Sequence, residues 1–462
     1  MSNKITIISP IDGSIVAERY LANNEEIETC IKTSALAQVQ WSAISIKERA
    51  SICHKAIDFI MDNAGEIAKE ITQQMGRPIR YTRGEIDGLE ERARYMIDIA
   101  EAHLRDISVG KKNLHKRFIK RVPLGTVFTI APWNYPYLTA VNSIIPALMA
   151  GNTVILKHSA QTLLCAERFY DAFKEAGMMR GVFQYLHLDH SQTAEVIKDE
   201  RVKFVSFTGS VSAGEKIESL TKGLFKGLAL ELGGKDPAYV RSDANIKQSV
   251  EGLVDGAFFN SGQSCCGVER IYVHEGVYAE FLDSYIKEVK QYVLGDPCNK
   301  SVTLGPLVNK KSADYVRNQI KQACEMGAKE CIDETGFEAS KKGANYLAPQ
   351  VLTDVNHEMS VMMDESFGPV VGIMKVSDDQ QAIKLMNDSA YGLTVSIWTA
   401  DEKIAIEIGE QINTGTVYMN RCDYLDPALA WVGVKKSGRG VSLSALAYEQ
   451  LTRPKSFNLK IK

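Results

Sequence analysis

The pattern between residues 122 and 209 leaves this chain few folds to choose from. Runs of β-branched and aromatic residues at 126–130, 153–156, 183–187 and 204–207 alternate with helical periodicity at 139–149, 162–176 and 194–197. Strands separated by helices do not pair as hairpins. Each helix crosses over and returns the chain in the same direction, which builds an α/β fold around a doubly wound parallel sheet. Ligands of such sheets bind beyond the carboxyl ends of the strands. The residues that fall there are Asn134, Lys157 and Gly209-Ser210. The stretch 209–214 opens a helix whose free N–H groups suit a pyrophosphate, although a plain strand-turn-helix corner has the same pattern. Without a following Lys-Ser/Thr it is not a P-loop.

The remainder frames this unit. Residues 1–22 read as two short strands around the turn at 9–14, and 24–106 as helices, with Asn24 as the first cap. From 234 to about 440 the α/β style returns with longer helices at 245–260, 277–294, 312–327, 380–387 and 403–411. The basic, partly alternating run 111–121 reads as a solvated or subunit-facing strand rather than a nucleic-acid patch. The tail 453–462 alternates like an exposed strand and ends in bare charges, which suits pairing with a partner's sheet edge.

Composition removes several classes of function. A net charge of -3 offers nothing to nucleic acid or an acidic membrane. Nine scattered cysteines without a C-x-x-C point to a reducing compartment and away from a cysteine zinc site. His187 and His190 flank Asp189, but no further ligands stand nearby, so no metal is expected. With no apolar leader and no membrane-length apolar run, a soluble cytoplasmic protein is expected.

Chemistry concentrates at 260–270, N-S-G-Q-S-C-C-G-V-E-R, just before the strand-like Ile271-Tyr272-Val273. A loop thiol backed by a rigid strand is suited to nucleophilic work, although a lone cysteine is also at home as a small buried hydrophobe. Thirty-four residues before Cys265 stands Glu231, in A-L-E-L-G-G-K. A thiol and a carboxylate on two strand-loop junctions are the ingredients of covalent catalysis followed by hydrolysis.

A series of motifs in fixed order carries a resemblance. They are A-P-W-N-Y-P at 131–136, G-N-T-V-I-L-K at 151–157, F-T-G-S at 207–210, E-L-G-G-K at 231–235, G-Q-S-C at 262–265, E-S-F-G-P at 365–369 and S-G-R-G at 437–440. Together they resemble the NAD(P)-dependent aldehyde dehydrogenase superfamily over nearly the whole chain. The resemblance implies a Rossmann-like cofactor domain from 1–106 and 123–233, an α/β catalytic domain at 234–440, and a small β oligomerisation element from 107–122 and 441–462. A homodimer or homotetramer is implied with it.

By the same resemblance Cys265, and not Cys266, is the nucleophile. Asn134 and the Cys265 N–H stabilise the oxyanion, and Glu231 activates the water that hydrolyses the thioester. NAD or NADP is expected against Ile130, Trp133, Lys157, Gly209, Ser210, Glu365 and Phe367, with an ordinary core aromatic as the alternative for Phe367. A CoA-acylating relative is a competing reading that Glu231 opposes, and a catalytically silent binding or structural homologue is another that the intact Cys265, Glu231 and Asn134 oppose.

Departures from the family pattern bear on selectivity. Ala160 stands where many NAD-preferring members carry a glutamate, and His158 replaces a proline, so Lys157 and His158 are expected to help admit a 2′-phosphate. Trp431-Val432-Gly433-Val434 replaces the usual P-F-G-G, marking a side branch. The arginines of the succinate-semialdehyde branch have Asn142 and Phe259 as counterparts. A neutral aldehyde is therefore expected, with succinate semialdehyde as the alternative, in a tunnel lined by Tyr135, Asn142, Phe259 and Tyr424.

Overall fold

The computed structural model describes residues 4–110, 112–341 and 343–461. The expected domain ends at Met1 and Lys462, and the first residue of the basic run, Lys111, lie outside the described residues. The α/β expectation holds. One sheet has six strands in the order Gly438–Arg439, Gly227–Glu231, Val202–Thr208, Thr126–Ala131, Thr153–His158 and Phe183–Tyr185. All neighbours run parallel except Gly438–Arg439, which is antiparallel to Gly227–Glu231. Every residue of Thr126–Ala131 is buried, which is why it reads as a run of mostly β-branched and aromatic residues instead of an alternating one.

The second sheet has seven strands, with Val268–His274 and Asp236–Val240 near its centre. Tyr239 and Tyr272 face one core while Ala238, Val240 and Ile271 face the other, the two-residue period of a strand covered on both sides.

The helices begin where side chains satisfy their first N–H groups. Asn23, not Asn24, caps the first: its Oδ1 accepts from Glu26 N at 2.9 Å while the Glu26 carboxylate accepts from Asn23 N at 2.8 Å. The helix Ile79–Leu104 buries a stripe that includes Glu85, Ile86, Leu89, Arg92, Ala93 and Met96, and packs against Pro136–Met149. Two charged residues on that stripe have consequences for the site.

A third sheet joins distant parts of the chain. Thr452–Lys460 pairs antiparallel with His115–Pro123 along its whole length, and Ile107–Ser108 adds a short edge. The tail strand thus finds its partner within the chain, with Phe118 and Phe457 stacked at 4.6 Å, while its outer edge stays open. Gly438–Arg439 is the edge strand of the six-stranded sheet, paired with Gly227–Glu231. Residues 441–451 precede the third sheet, and Ser442 and Leu443 turn inward toward the candidate site. Among the described residues, no helix is long and apolar enough to cross a membrane.

Candidate active site

The strand ends converge as a doubly wound sheet requires. Ile130 lies in register with Lys157 on one side and Phe207 on the other. Lys157 is half-buried, and its Nζ has no hydrogen-bond or ion-pair partner among the described residues. Gly209 N donates to Glu231 O at 3.0 Å, and Ser210 caps the helix Val211–Thr221 with its hydroxyl. The first N–H groups of such a helix are the kind of donor an anion site uses.

His158 does not join this group. Its Nε2 lies 3.0 Å from Pro136 O and its Nδ1 accepts from Ser159 N at 3.0 Å, so the ring turns into the core. Burial, the largest influence, drops its pKa to about 3. The expectation that it offers charge to a phosphate is corrected: it is a neutral ring that ties the strand Thr153–His158 to the start of Pro136–Met149. Asp189 is likewise engaged, as the cap of His190–Lys198, and His187 Nε2 pairs with Glu167 at 3.1 Å.

Across the cleft, Trp133 and Phe367 meet edge to face at 5.7 Å. Phe367 has φ +52°, a left-handed conformation unusual for an aromatic residue, and the surroundings hold it there. Glu269 accepts from Phe367 N at 2.9 Å and Ser366 N at 2.8 Å, while Lys235 Nζ reaches Glu269 at 2.5 Å and Ser366 Oγ at 3.1 Å. Glu365, next in the loop, accepts from Gly234 N at 2.9 Å. Its carboxyl is pushed up to about 8 by burial and by the Glu269 charge. A Cβ at Gly233 would stand 2.4 Å from the Glu365 oxygens, so a side chain there would displace that carboxylate.

The thiol loop is also held from behind. Asn260, Ser261 and Gly262 adopt successive left-handed conformations, and a Cβ at Gly262 would meet Gly368 O at 2.2 Å. That turn presents Cys265 half-buried and leaves Cys266 buried, which separates the two thiols by access. The neighbouring Cys266 thiol, then burial, holds the Cys265 thiol well above its ordinary pKa, and the Glu231 charge acts in the same direction.

Asn134 approaches the same loop, with Nδ2 donating to Gln263 O at 3.2 Å. Three residues that the sequence reading passed over fix its position. Arg77 donates to Asn134 O, to Asn260 Oδ1 at 3.0 Å and to Glu85. Glu85 in turn accepts from Tyr137 N at 2.8 Å, capping the helix that follows Asn134. Asn260 Nδ2 donates to Asn134 O at 3.3 Å and Gln263 O at 3.1 Å.

Glu231 ends its strand with the carboxylate held by Thr208 Oγ1 at 3.3 Å and by the Ser442 hydroxyl. Burial raises its pKa, and those two hydroxyls together with the Arg92 charge oppose the rise. Its charge acts on the Cys265 thiol, so the two groups lie within electrostatic reach of each other.

The residues expected to line a tunnel all meet the neighbourhood of the helix Ile79–Leu104. Arg77 stacks over Tyr135 at 4.3 Å, Tyr81 meets Phe259 at 5.2 Å, and Glu91 accepts from the Tyr424 hydroxyl at 2.7 Å. Asn142 is buried, with its Oδ1 3.4 Å from Arg92 Nη1. The sequence reading missed this helix as a wall of the site.

Comparison with known proteins places this geometry. Residues 1–457 match the Aldehyde dehydrogenase family. An aldehyde dehydrogenase of Paenarthrobacter nicotinovorans is 35% identical over 98% of this chain and 99% of its own length. A succinate semialdehyde dehydrogenase of Escherichia coli (strain K12), named for NAD(P)+, is 32% identical over 95% and 94%. The solved structure of an NADP-dependent glyceraldehyde-3-phosphate dehydrogenase from Bacillus halodurans C-125, complexed with NADP, superposes with a TM-score of 0.93 at 30% identity, over 99% of this chain and 96% of that one. The chain belongs to the aldehyde dehydrogenase family, and it is an NAD(P)-dependent oxidoreductase that acts on an aldehyde.

Proposed function

We propose that Cys265 attacks the aldehyde carbon, that the Asn134 amide and the Cys265 N–H receive the resulting oxyanion, and that Glu231 activates the hydrolytic water. The observation that carries this reading is the pairing of one half-buried thiol with one half-buried carboxylate within electrostatic reach, beside an amide fixed by Arg77, Glu85 and Asn260. Attack forms a thiohemiacetal whose oxygen charge needs donors fixed in advance, because reorganising them would cost energy in the transition state. NAD(P)+, when bound, would supply the hydride acceptor that such an adduct needs to become a thioester. Glu231 then takes a proton from water as the water oxygen attacks the thioester, the carbon–sulfur bond breaks, and a carboxylic acid leaves as its carboxylate.

The residues present fit a dinucleotide. Lys157 offers an unpartnered cation, Ser210 opens a helix N-terminus, and Glu365 and Phe367 are presented by a loop fastened through Glu269. Ile130, Trp133 and Gly209 complete the wall. We assign the cofactor domain to 1–106 and 123–233 with Gly438–Arg439 added, and the catalytic domain to the rest of 234–440. The paired strands His115–Pro123 and Thr452–Lys460 form the oligomerisation element of a dimer or a pair of dimers. Nine free cysteines suit a reducing, cytoplasmic setting.

Absorbance at 340 nm with a panel of aldehydes, with and without CoA, tests the reading. Glu231→Gln is expected to release one equivalent of NAD(P)H and then stall. Turnover that depends on CoA in the wild type, or steady turnover at the wild-type rate in Glu231→Gln, removes Glu231 from the role of base.

A further inference from the structure

Four arginines are buried: Arg49, Arg77, Arg92 and Arg270. A buried guanidinium is costly unless its donors are used and its charge is balanced. Arg77 has Glu85, Asn134 O and Asn260. Arg49 donates to the carbonyls of Met149, Trp41 and Ile44, and Arg270 to those of Lys235, Leu385, Met386 and Asp388. Arg92 stands apart. Only its Nη1 is engaged, with Leu138 O at 2.9 Å and Asn142 Oδ1 at 3.4 Å. Among the described residues, no carboxylate lies within ion-pair distance of it, and Nε and Nη2 donate to nothing. Beside it, Asn142 Nδ2 is fully enclosed and also donates to nothing.

These unused donors lie against the helix that carries Leu138 and Asn142. That helix begins just after Asn134, and Asn142 lies about 9 Å along its axis from Pro136. The Arg92 charge is felt by Glu231 and Cys265. An apolar residue would complete the stripe formed by Ile86, Leu89, Ala93 and Met96, yet a guanidinium occupies it.

We propose that Arg92, positioned by Asn142 and Leu138 O, binds an anionic group at the far end of the substrate, so that the enzyme oxidises short-chain aldehydes carrying a terminal carboxylate or phosphate. This rests on the reading of Cys265 as the nucleophile. It replaces the expectation of a neutral substrate, which looked for guanidinium groups only at positions 142 and 259. The anion receives charge-assisted bonds from Nε and Nη2, as a planar fork provides, and the Asn142 amide stands beside them as a further donor.

The test compares kcat/KM for three aldehydes of similar length: neutral, ω-carboxylate and phosphorylated. Wild type is expected to prefer one of the anionic pair over the neutral aldehyde by at least about tenfold, and which one it prefers identifies the anion. Arg92→Met is expected to reduce the anionic-to-neutral ratio about a hundredfold, mainly through KM, with partial rescue by Arg92→Lys. A saturated dicarboxylate and inorganic phosphate, tried on wild type as competitors of the neutral aldehyde, give a readout free of any folding defect. A wild type that oxidises all three aldehydes equally, or a ratio that survives in Arg92→Met, overturns the proposal. Failure to oxidise any aldehyde would instead overturn the catalytic reading.

Discussion

The hydroxyl of Ser442 donates to the carboxylate of Glu231 across 211 residues of chain. The contact favours the charged form of a group that burial pushes toward the protonated one.

Ser442→Ala removes an influence that lowers the Glu231 pKa, so that pKa rises. The hydrolytic half of the reaction should then require higher pH, while the first burst of NAD(P)H keeps its amplitude. Pre-steady-state traces and steady-state rates taken from pH 6 to 9 read both. An unshifted steady-state profile would remove Ser442 from this role.

The two adjacent thiols should part company. Cys265→Ala abolishes oxidation, whereas Cys266→Ala leaves most of it. Because Cys266 is the largest influence raising the Cys265 pKa, its removal lowers that pKa and puts more thiolate at neutral pH. Alkylation of Cys265 at pH 7 should become faster in Cys266→Ala, and a slower rate would contradict the geometry.

Glu85→Ala leaves the Arg77 guanidinium buried without its counter-ion and uncaps the helix after Asn134. The expected loss of stability is about 3–5 kcal/mol. A thermal or urea midpoint within error of wild type would show that the pair is dispensable.

Cofactor choice should be loose. Ala160 is exposed just beyond the strand that bears Lys157, and with His158 turned inward Lys157 is the cation left for a 2′-phosphate. NAD and NADP should both serve, within about tenfold, roughly 1.4 kcal/mol. Ala160→Glu should depress NADP use selectively, since like charges repel. Outright rejection of NADP by wild type would sink this account.

The open edge of Thr452–Lys460 should bring copies together. Light scattering at micromolar concentration is expected to give a dimer or larger. A 51.1 kDa species would count against it.

Much of the fold was legible because its signals are local. Runs of mostly β-branched and aromatic residues such as Thr126–Ala131 announce strands covered on both faces, and Cys265, Glu231 and Asn134 each sit in a contiguous motif. What was not legible depends on residues distant in sequence. Arg77, Glu269 and Ser442 look like ordinary polar residues until the sheets bring Asn134, Phe367 and Glu231 to them. Arg92 had a faint signal that was passed over. It shares the face of Ile86, Leu89 and Ala93, where an unmatched charge is a conflict between local pattern and fold. His158 misled for the opposite reason, since a histidine at a strand end reads as a ligand donor until its ring is seen among core groups.

The antiparallel strand Gly438–Arg439 and the Ser442 that follows it have a bearing on biosynthesis. A chain emerging from the ribosome releases its thiol loop well before residue 442, so the earliest folded forms carry Cys265 without the finished seat for Glu231. Chains arrested on either side of residue 442 should differ in thioester hydrolysis. Hydrolysis is then expected to wait until Gly438–Arg439 and Ser442 are in place.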